Sequence, residues 1–387
     1  LRPKPGSEAA LLGGMLRVIV DESLDDHEFL ADSCEDVNSL KNDLWDFDLL
    51  KVERITAVPV EQIEAAARLF ASTKPGAILY ALETVAPEFR EACVRALVNL
   101  SLVTGNLGSP SSGLYPMFPG ANEQGSKDVG CSPDYLPGYQ SVADEAALQP
   151  FREAWDADIP STKGLGITEI ADAVRRGEIK ALHIIGDSPS FTNGDLGDFI
   201  EAIGELEFLV VQDTFASELT ELAHVVLPSA TFAQNEGTYT NLERRVQLLR
   251  PALDPKGEEE ADWRIITRIA QRMDGKGFAY ENAQAIFDEI SALVEVYGGI
   301  SFQRLQAGGV QWPCLAVDMV DTPILYAGRL HTQKARLGEM KLLESPARDD
   351  RDYPFLLARG RVLHQPEREM NIVKVGKRNS AEREETV

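Results

Sequence analysis

Cysteine is scarce in this chain of 387 residues, and its four copies lie far apart. Cys34, Cys93, Cys131 and Cys314 show no CxxC spacing, which argues against a disulfide framework, a zinc site or an iron–sulfur cluster built from these residues alone. Apolar runs of the ~18 to 20 residues needed for a membrane span are also absent, and the first residues do not resemble a signal peptide. We therefore expect a cytoplasmic protein that meets a membrane surface only through partner subunits.

Positive charge is the second shortage. Lys and Arg number 38 against 62 Asp and Glu, a formal net charge of -24 with no basic stripe. Such a surface repels phosphate backbones, which argues against a nucleic-acid partner. Gly-rich phosphate motifs of the GxGxxG or P-loop type are missing too, so an ordinary dinucleotide or ATP site is not indicated. The five histidines show no metal-ligand spacing.

Helices and apolar strands alternate along most of the chain. The stretch 59–72 places apolar residues on one helical face, 77–82 is a short apolar strand, and 88–105 is again helical in its spacing. The alternation returns as a helix at 167–179, a strand at 180–187, a helix at 194–206 and strands at 207–213 and 223–230, before a closing helix at 260–273. This order predicts an α/β fold with a doubly wound, mostly parallel sheet.

The pattern also suggests domain limits. We expect residues 1–50 to be the end of a Rossmann-like lobe, 51–275 to be the α/β domain, and 276–352 to be a connecting segment with short helices and Gly or Pro breaks. From residue 353 the pattern becomes β, but too few residues follow for an independent domain. The chain is therefore expected to be a piece of a longer polypeptide.

Two consecutive predicted strands end in small or polar residues: Gly186, Asp187, Ser188, Gln212 and Asp213. Ligands of open parallel sheets bind beyond the carboxyl ends of the strands. Glycine there lets a ligand approach the backbone, an Asp carboxylate can accept two N–H bonds from a guanine-like edge, and Ser217 could donate to a phosphate or ribose. A nucleotide-sized ligand fits this pattern. The alternative is that the two aspartates only cap helices or form turns.

The segment "VVQDTFASELTELAHVVLPSATFAQNEGTYTNLERRVQ" (210–247) is similar to a signature of the molybdopterin oxidoreductase family: a Gln-Asp strand end, a polar turn, a second strand ending in Leu-Pro, and a Gly-Thr-X-Thr-Asn-X-Glu-Arg-Arg run. The stretches 1–20, 97–114 and 121–139 also resemble the family, and 353–364 looks like the beginning of its C-terminal β-barrel domain. The resemblance implies the middle domains of a formate dehydrogenase or DMSO reductase-like fold.

The resemblance also implies a cofactor, molybdopterin guanine dinucleotide with molybdenum or tungsten. Its guanosine end would contact Gly186, Asp187, Ser188, Gln212, Asp213 and Ser217, and its pterin would lie nearer Asn122 and Gln124. Ser188 stands where the family commonly has Asn or Asp, Ser217 where it has Thr, and His224 where it has Asp. The metal-binding Cys or selenocysteine and the iron–sulfur clusters would belong to a part of the protein upstream of this chain.

Two departures from the family bear on the activity. Formate dehydrogenases of this family have Arg-Gly-Gln just before the Asn-X-Gln-Gly stretch, whereas this chain has Phe118, Pro119 and Gly120, and the barrel motif differs at 362–373. Without that cation, an anionic substrate would lose electrostatic stabilisation. We therefore expect the large electron-transfer subunit of NADH:quinone oxidoreductase (complex I), in a complex with other redox subunits. The alternatives are a formate dehydrogenase-like catalytic subunit and a cofactor-free scaffold.

The pair Arg244 and Arg245 leaves two interpretations open. The two side chains could form a solvated ion-pair face, or they could bind the pterin phosphates or another subunit.

Overall fold

The structure is a computed structural model that describes residues 1–82, 85, 87–118, 120–186, 195–327 and 334–343. The candidate residues Asp187 and Ser188, Pro119, and the predicted β segment after residue 353 lie outside these ranges.

The α-helices of the described residues are α1 (Glu8–Asp21), α2 (His27–Ser33), α3 (Val37–Asp43), α4 (Leu49–Thr56), α5 (Val60–Ser72), α6 (Pro87–Val103), α7 (Glu123–Asp128), α8 (Glu145–Trp155), α9 (Ile167–Arg175), α10 (Asp195–Ile203), α11 (Glu218–Leu222), α12 (Asp262–Arg272), α13 (Ala283–Leu293) and α14 (Phe302–Ala307). The strands are β1 (Cys34–Glu35), β2 (Ala77–Tyr80), β3 (Gly113–Pro116), β4 (Tyr135–Leu136), β5 (Gln140–Ser141), β6 (Ala181–Ile185), β7 (Phe208–Asp213), β8 (Val225–Pro228), β9 (Gly237–Thr240), β10 (Arg245–Leu249), β11 (Val310–Gln311) and β12 (Ala335–Arg336). Single 3-10 turns lie at Leu44–Asp46, Phe232–Gln234 and Glu295–Tyr297.

The chain divides into two compact units. The first contains Leu1–Met117 together with the described residues from Pro323 onward, and the second contains Phe118–Thr322. These limits differ from the domain boundaries expected at residues 50 and 275, which remain predictions.

Helix α1 lies at the centre of the first unit. It packs against α4, α5 and α6, and its Leu16 and Ile19 are fully buried. A Cβ at Gly13 would lie 2.1 Å from Phe47, which leaves no room for a larger side chain, whereas a Cβ at Gly14 would make a tight contact of 3.0 Å with Val52. Beside these helices, β2 and β3 pair in parallel. The sequence pattern predicted β2 and α6 but not the short strand β3.

The second unit contains the parallel sheet that positions the candidate site. Its three strands lie in the order β6, β7, β8, and all pair in parallel. The β-branched residues of these strands are typical of a sheet, of which β7 is the most buried strand, whereas Ile185 of β6 and Val226 of β8 are exposed. Side chains of α9 and α10, including Val174 and Ile203, form one hydrophobic cluster with Leu209 and Val211 of β7. The predicted alternation of helices and parallel strands is thus confirmed.

A second sheet of this unit is antiparallel, in the order β11, β10, β9. Val246 of β10 is buried with Phe287 of α13, Tyr297 and Phe302 in a cluster of its own. Residues 283–311, expected to lie in a connecting segment, therefore help to form a hydrophobic core. Within the part of the chain that the structure describes, no helix is long and apolar enough to cross a lipid bilayer.

Candidate functional site

The carboxyl ends of β6, β7 and β8 form one edge of the parallel sheet. Ile185 pairs with Gln212, and Gln212 pairs with Leu227. The residues that follow continue this alignment, since the Gly186 N–H donates to the Gln212 carbonyl at 2.8 Å and the Ser229 N–H donates to the Asp213 carbonyl at 2.9 Å. The structure therefore brings Gly186 and Asp213 side by side, at the edge where parallel α/β sheets bind ligands.

Gly186 leaves the backbone open at this edge. Its φ of +78° is in the left-handed region, which favours glycine, and a Cβ added there would meet no atom of the described residues within 4 Å. Space around a glycine in this conformation allows a ligand to approach the main chain closely.

Gln212 points into the protein rather than into the open edge. The residue is fully buried, its Nε2 donates to Asp262 Oδ1 at 2.7 Å, and its Oε1 lies 3.1 Å from His183 Nε2. Ser229 Oγ donates to the same oxygen of Asp262 at 2.6 Å. The side chain thus braces the strand ends, and direct contact with a ligand stays a prediction.

Asp213 and Ser217 both shape the loop that follows β7. Asp213 Oδ1 accepts from the N–H of Thr214 at 2.5 Å and from that of Phe215 at 3.5 Å. Ser217 caps α11, because its Oγ accepts from Thr220 N at 3.4 Å and its N–H donates to Thr220 Oγ1 at 2.8 Å. The turn-forming interpretation therefore describes part of what these side chains do, and a ligand contact by either remains a prediction.

His224 supplies an acceptor at the position where the resemblance implies Asp. Its Nδ1 accepts from the backbone N–H of Leu209 at 3.0 Å. The His224 N–H in turn donates to the Leu209 carbonyl at 2.9 Å. The imidazole therefore ties the segment before β8 to the start of β7, a task that needs only a hydrogen-bond acceptor.

Asn122 and Gln124 lie near the antiparallel sheet. Asn122 Oδ1 accepts from Thr240 N, at the end of β9, at 2.8 Å. Gln124 Nε2 donates to Asp128 Oδ1 and to the Tyr139 hydroxyl, both at 2.8 Å. The two amides hold α7 in place by these bonds, and their predicted role near a pterin stays a prediction.

Asp128 is a buried carboxylate that the sequence analysis did not single out. It is 1% exposed and accepts from four side chains: Gln124 Nε2 at 2.8 Å, the hydroxyl of Tyr139 at 2.8 Å, the hydroxyl of Tyr297 at 2.6 Å and Trp312 Nε1 at 2.8 Å. Burial, together with the Asp128 charge and its hydrogen bonds, raises the pKa of Tyr297 and of Tyr139. No sequence signal reveals this cluster, because two of its aromatic partners, Tyr297 and Trp312, are 169 and 184 positions away along the chain.

The two arginines of the Glu-Arg-Arg run bind backbone carbonyls inside the second unit. Arg244 donates to the carbonyls of Trp312 and Thr322, and its guanidinium carbon lies 5.5 Å from the Trp312 ring centroid. Arg245 donates to the Gly309 carbonyl at 3.1 Å and to Gln311 Oε1 at 2.9 Å. Both arginines thus fasten the segment around β11 to the β9–β10 hairpin. Arg245 Nε also lies 3.8 Å from Glu243 Oε2, a partly exposed ion pair of the kind that one sequence interpretation predicted, whereas the bonds to backbone carbonyls were not predicted.

The described residues contain no group of three or more His, Cys, Asp or Glu side chains that could hold a metal ion. The exposed Cys131 has no such group around it.

The profile of the molybdopterin oxidoreductase family matches residues 1–272. The chain belongs to this family. The chain is 36% identical over 362 residues to the F420-dependent formate dehydrogenase subunit alpha of Methanocaldococcus jannaschii, covering 93% of this chain and 53% of that protein. It is also 36% identical over 313 residues to formate dehydrogenase H of Escherichia coli, covering 80% of this chain and 44% of that one. The chain therefore spans about half the length of the curated relatives it matches.

A solved structure supports the same fold. Acetylene hydratase from Pelobacter acetylenicus superposes with a TM-score of 0.63 at 18% sequence identity, covering 96% of this chain and 52% of that one. At this identity the likeness speaks for the fold alone. The family assignment and the mixed α/β fold with parallel sheets are confirmed. Of the two enzyme interpretations, the relatives support the formate dehydrogenase-like one better than the complex I subunit that we expected first.

Proposed function

We propose that this chain is the nucleotide-binding part of a formate dehydrogenase-like alpha subunit in the molybdopterin oxidoreductase family. The observation that supports this most strongly is 36% identity to a formate dehydrogenase alpha subunit along 93% of the chain. The relatives named "subunit alpha" belong to enzymes with further subunits, and we propose that this protein likewise works in a complex with other redox subunits.

The sheet edge fits one guanosine end of a molybdopterin guanine dinucleotide. No atom of the described residues obstructs the Gly186 backbone, and Asp213 is the last residue of the neighbouring strand. A carboxylate accepts hydrogen bonds from the N–H groups of a guanine edge, and open backbone admits the ring or its ribose. Gly186 and Asp213 would therefore hold the nucleotide, while Gln212 and Ser217 would fix the shape of the two loops. When bound, such a cofactor supplies the redox-active metal.

We propose formate as the substrate, and the residue at position 118 bears on how an anion would be bound. Where the resemblance implies an arginine-bearing stretch, this chain has Phe118, and the Lys127 ammonium lies 3.5 Å from the centroid of its ring. Lys127 also approaches Glu123 Oε1 at 3.4 Å. A cation is thus present beside Phe118, held by an aromatic face and a carboxylate. An anionic substrate remains compatible with this surface.

Two assays on the full-length protein, purified with its complex, test the proposal. Acid extraction should release guanine nucleotide in proportion to protein, and formate should drive reduction of a viologen dye. Release of guanine nucleotide without reduction of the dye by formate would support the proposed cofactor and overturn formate as the substrate. Absence of guanine nucleotide from freshly isolated complex would favour the cofactor-free scaffold. Dye reduction driven by NADH but not by formate would favour the complex I interpretation.

A further inference from the structure

One continuous chain of hydrogen bonds crosses all three strands of the parallel sheet near its carboxyl edge. His183 of β6 contacts Gln212 of β7 at 3.1 Å, and Gln212 donates to Asp262 at 2.7 Å. Ser229, directly after β8, donates to the same Asp262 oxygen at 2.6 Å. Asp262 is the first residue of α12, so a helix that follows the sheet in sequence provides the acceptor shared by β7 and β8.

The chemistry of Asp262 fixes the direction of this chain. An ionised carboxylate can only accept hydrogen bonds, so the part of the Gln212 amide that faces it must be the NH2 group. The side-chain amide oxygen of Gln212, Oε1, then faces His183, whose Nε2 must carry the proton in order to donate to it. At the start of an α-helix the negative charge of Asp262 is also stabilised by the helix dipole.

The ligand edge depends on the position of Gln212. The backbone carbonyl of Gln212 accepts from the Gly186 N–H at 2.8 Å. The backbone carbonyl of the next residue, Asp213, accepts from the Ser229 N–H. Gln212 is fully buried and Ser229 is 6% exposed. Without the acceptor on Asp262, a buried NH2 group would lack a partner, and the side chain would have to turn or shift. Any shift of Gln212 moves the backbone beside Gly186 and Asp213.

We propose that Asp262 is a positioning residue for nucleotide binding at the sheet edge, acting through Gln212 and Ser229. This inference rests on the proposed function, because it takes a guanine nucleotide as the ligand of that edge. Asp262 itself is placed behind the strand ends, where it orients the groups that form the edge.

The test measures GDP binding by calorimetry to the full-length protein prepared without its cofactor. Asp262→Ala should weaken GDP binding by about tenfold or more, as expected when a buried amide loses its partner. Asp262→Asn keeps an oxygen that can accept from both Gln212 and Ser229, so affinity should stay close to that of the wild type. Gln212→Met, similar in shape but without the amide, should weaken binding like Asp262→Ala.

Ile265→Ala is the matched control, because Ile265 is buried on the same helix and does not belong to the hydrogen-bond chain. Its melting temperature should fall while GDP affinity is retained. Equal GDP affinity in Asp262→Ala and wild type, or equal weakening by Ile265→Ala, would overturn the positioning role while leaving the proposed function intact. Lack of GDP binding by the wild-type protein would overturn both. If Asp262→Ala does not fold, Gln212→Met decides in its place.

Discussion

Trp312 Nε1 donates to Asp128 Oδ2 at 2.8 Å, joining two residues that are 184 positions apart. The same oxygen accepts from the Tyr297 hydroxyl at 2.6 Å. Through this carboxylate, α7 is fixed to the segment before α14 and to the residues that follow β11. The neighbourhood of Asn122 and Gln124, both proposed to lie near a cofactor, therefore depends on a charge buried among aromatic side chains.

Asp128→Asn should destabilise the second unit. One of the two carboxylate oxygens becomes an NH2 group and faces two donors, and each buried group left without a partner costs about 1–3 kcal/mol. The loss of charge should also lower the pKa of Tyr139, which burial and then Asp128 raise. Alkaline absorbance titration, with a Tyr139→Phe variant to assign the phenol, measures this shift. The pKa of Tyr280, raised to about 12 by burial and by Glu289, should not change, and a fall there would contradict a local effect.

Gly13→Ala should destabilise the first unit. The added Cβ would lie 2.1 Å from Phe47 Cε1, and Phe47 is fully buried. Overpacking of this kind costs about 1–3 kcal/mol, whereas alanine in place of glycine gains only about 1 kcal/mol in helix propensity. Gly14→Ala is the control, because its Cβ would meet Val52 at 3.0 Å. Guanidinium unfolding should show the larger loss for Gly13→Ala, and equal midpoints would contradict the predicted clash.

Gly186→Ala should weaken nucleotide binding, and the loss in binding free energy should exceed the loss in the free energy of unfolding. The left-handed φ costs an L-residue about 1–2 kcal/mol. Among the described residues the added Cβ meets no atom within 4 Å, so the methyl group would occupy the space proposed for the ligand. Gly177→Ala is a matched control with φ +70° and equally open surroundings, away from the sheet edge. Calorimetry with GDP should separate the two variants. Equal affinity for both would argue against a ligand at Gly186.

Acid should remove a stabilising contribution of Asp26. Its hydrogen bond to Lys74, opposed by burial and aided by the Phe29 N–H, lowers the pKa of this carboxyl. Because the folded pKa lies below the unfolded value of about 3.9, the contribution is complete above that value and is lost as the pH falls through the folded pKa. Lys74→Met should therefore lower stability at pH 6 and matter less below about pH 4. In acid unfolding, the effect of Lys51→Met, a substitution at an exposed position, should not depend on pH in this way. An equal pH dependence for both variants would contradict a specific Lys74–Asp26 pair.

Alkylation of the native protein should label Cys131 first. Cys131 is exposed, whereas Cys34, Cys93 and Cys314 are buried. Burial raises the pKa of Cys34 and that of Cys93 to about 11 each, and it also raises the pKa of Cys131. The thiolate is the reactive form, so the exposure of Cys131 is what favours its labelling. Peptide mapping after brief iodoacetamide treatment measures the order. Early labelling of Cys34 or Cys93 would indicate that the first unit opens more readily than its packing implies.

Local sequence patterns predicted much of the fold because they report which side of an element is buried. The spacing of Ile63 and Ala67 indicated α5, and the apolar residues from Leu209 to Val211 indicated β7. The antiparallel sheet of β9, β10 and β11 was not predicted, since β10 pairs with a two-residue strand more than 60 positions later. Short strands acquire their conformation from partners that local periodicity cannot identify.

The family, the helices and strands around the parallel sheet, and the meeting of Gly186 and Asp213 at one edge could all be read from the sequence, because consecutive parallel strands end on the same side of a sheet. The roles of the polar side chains at that edge depend on how the chain folds in three dimensions. The tertiary structure turned Gln212 inward to Asp262 and gathered four donors around Asp128. A buried polar group must find its partner wherever the fold supplies one, and distance along the chain does not restrict that choice.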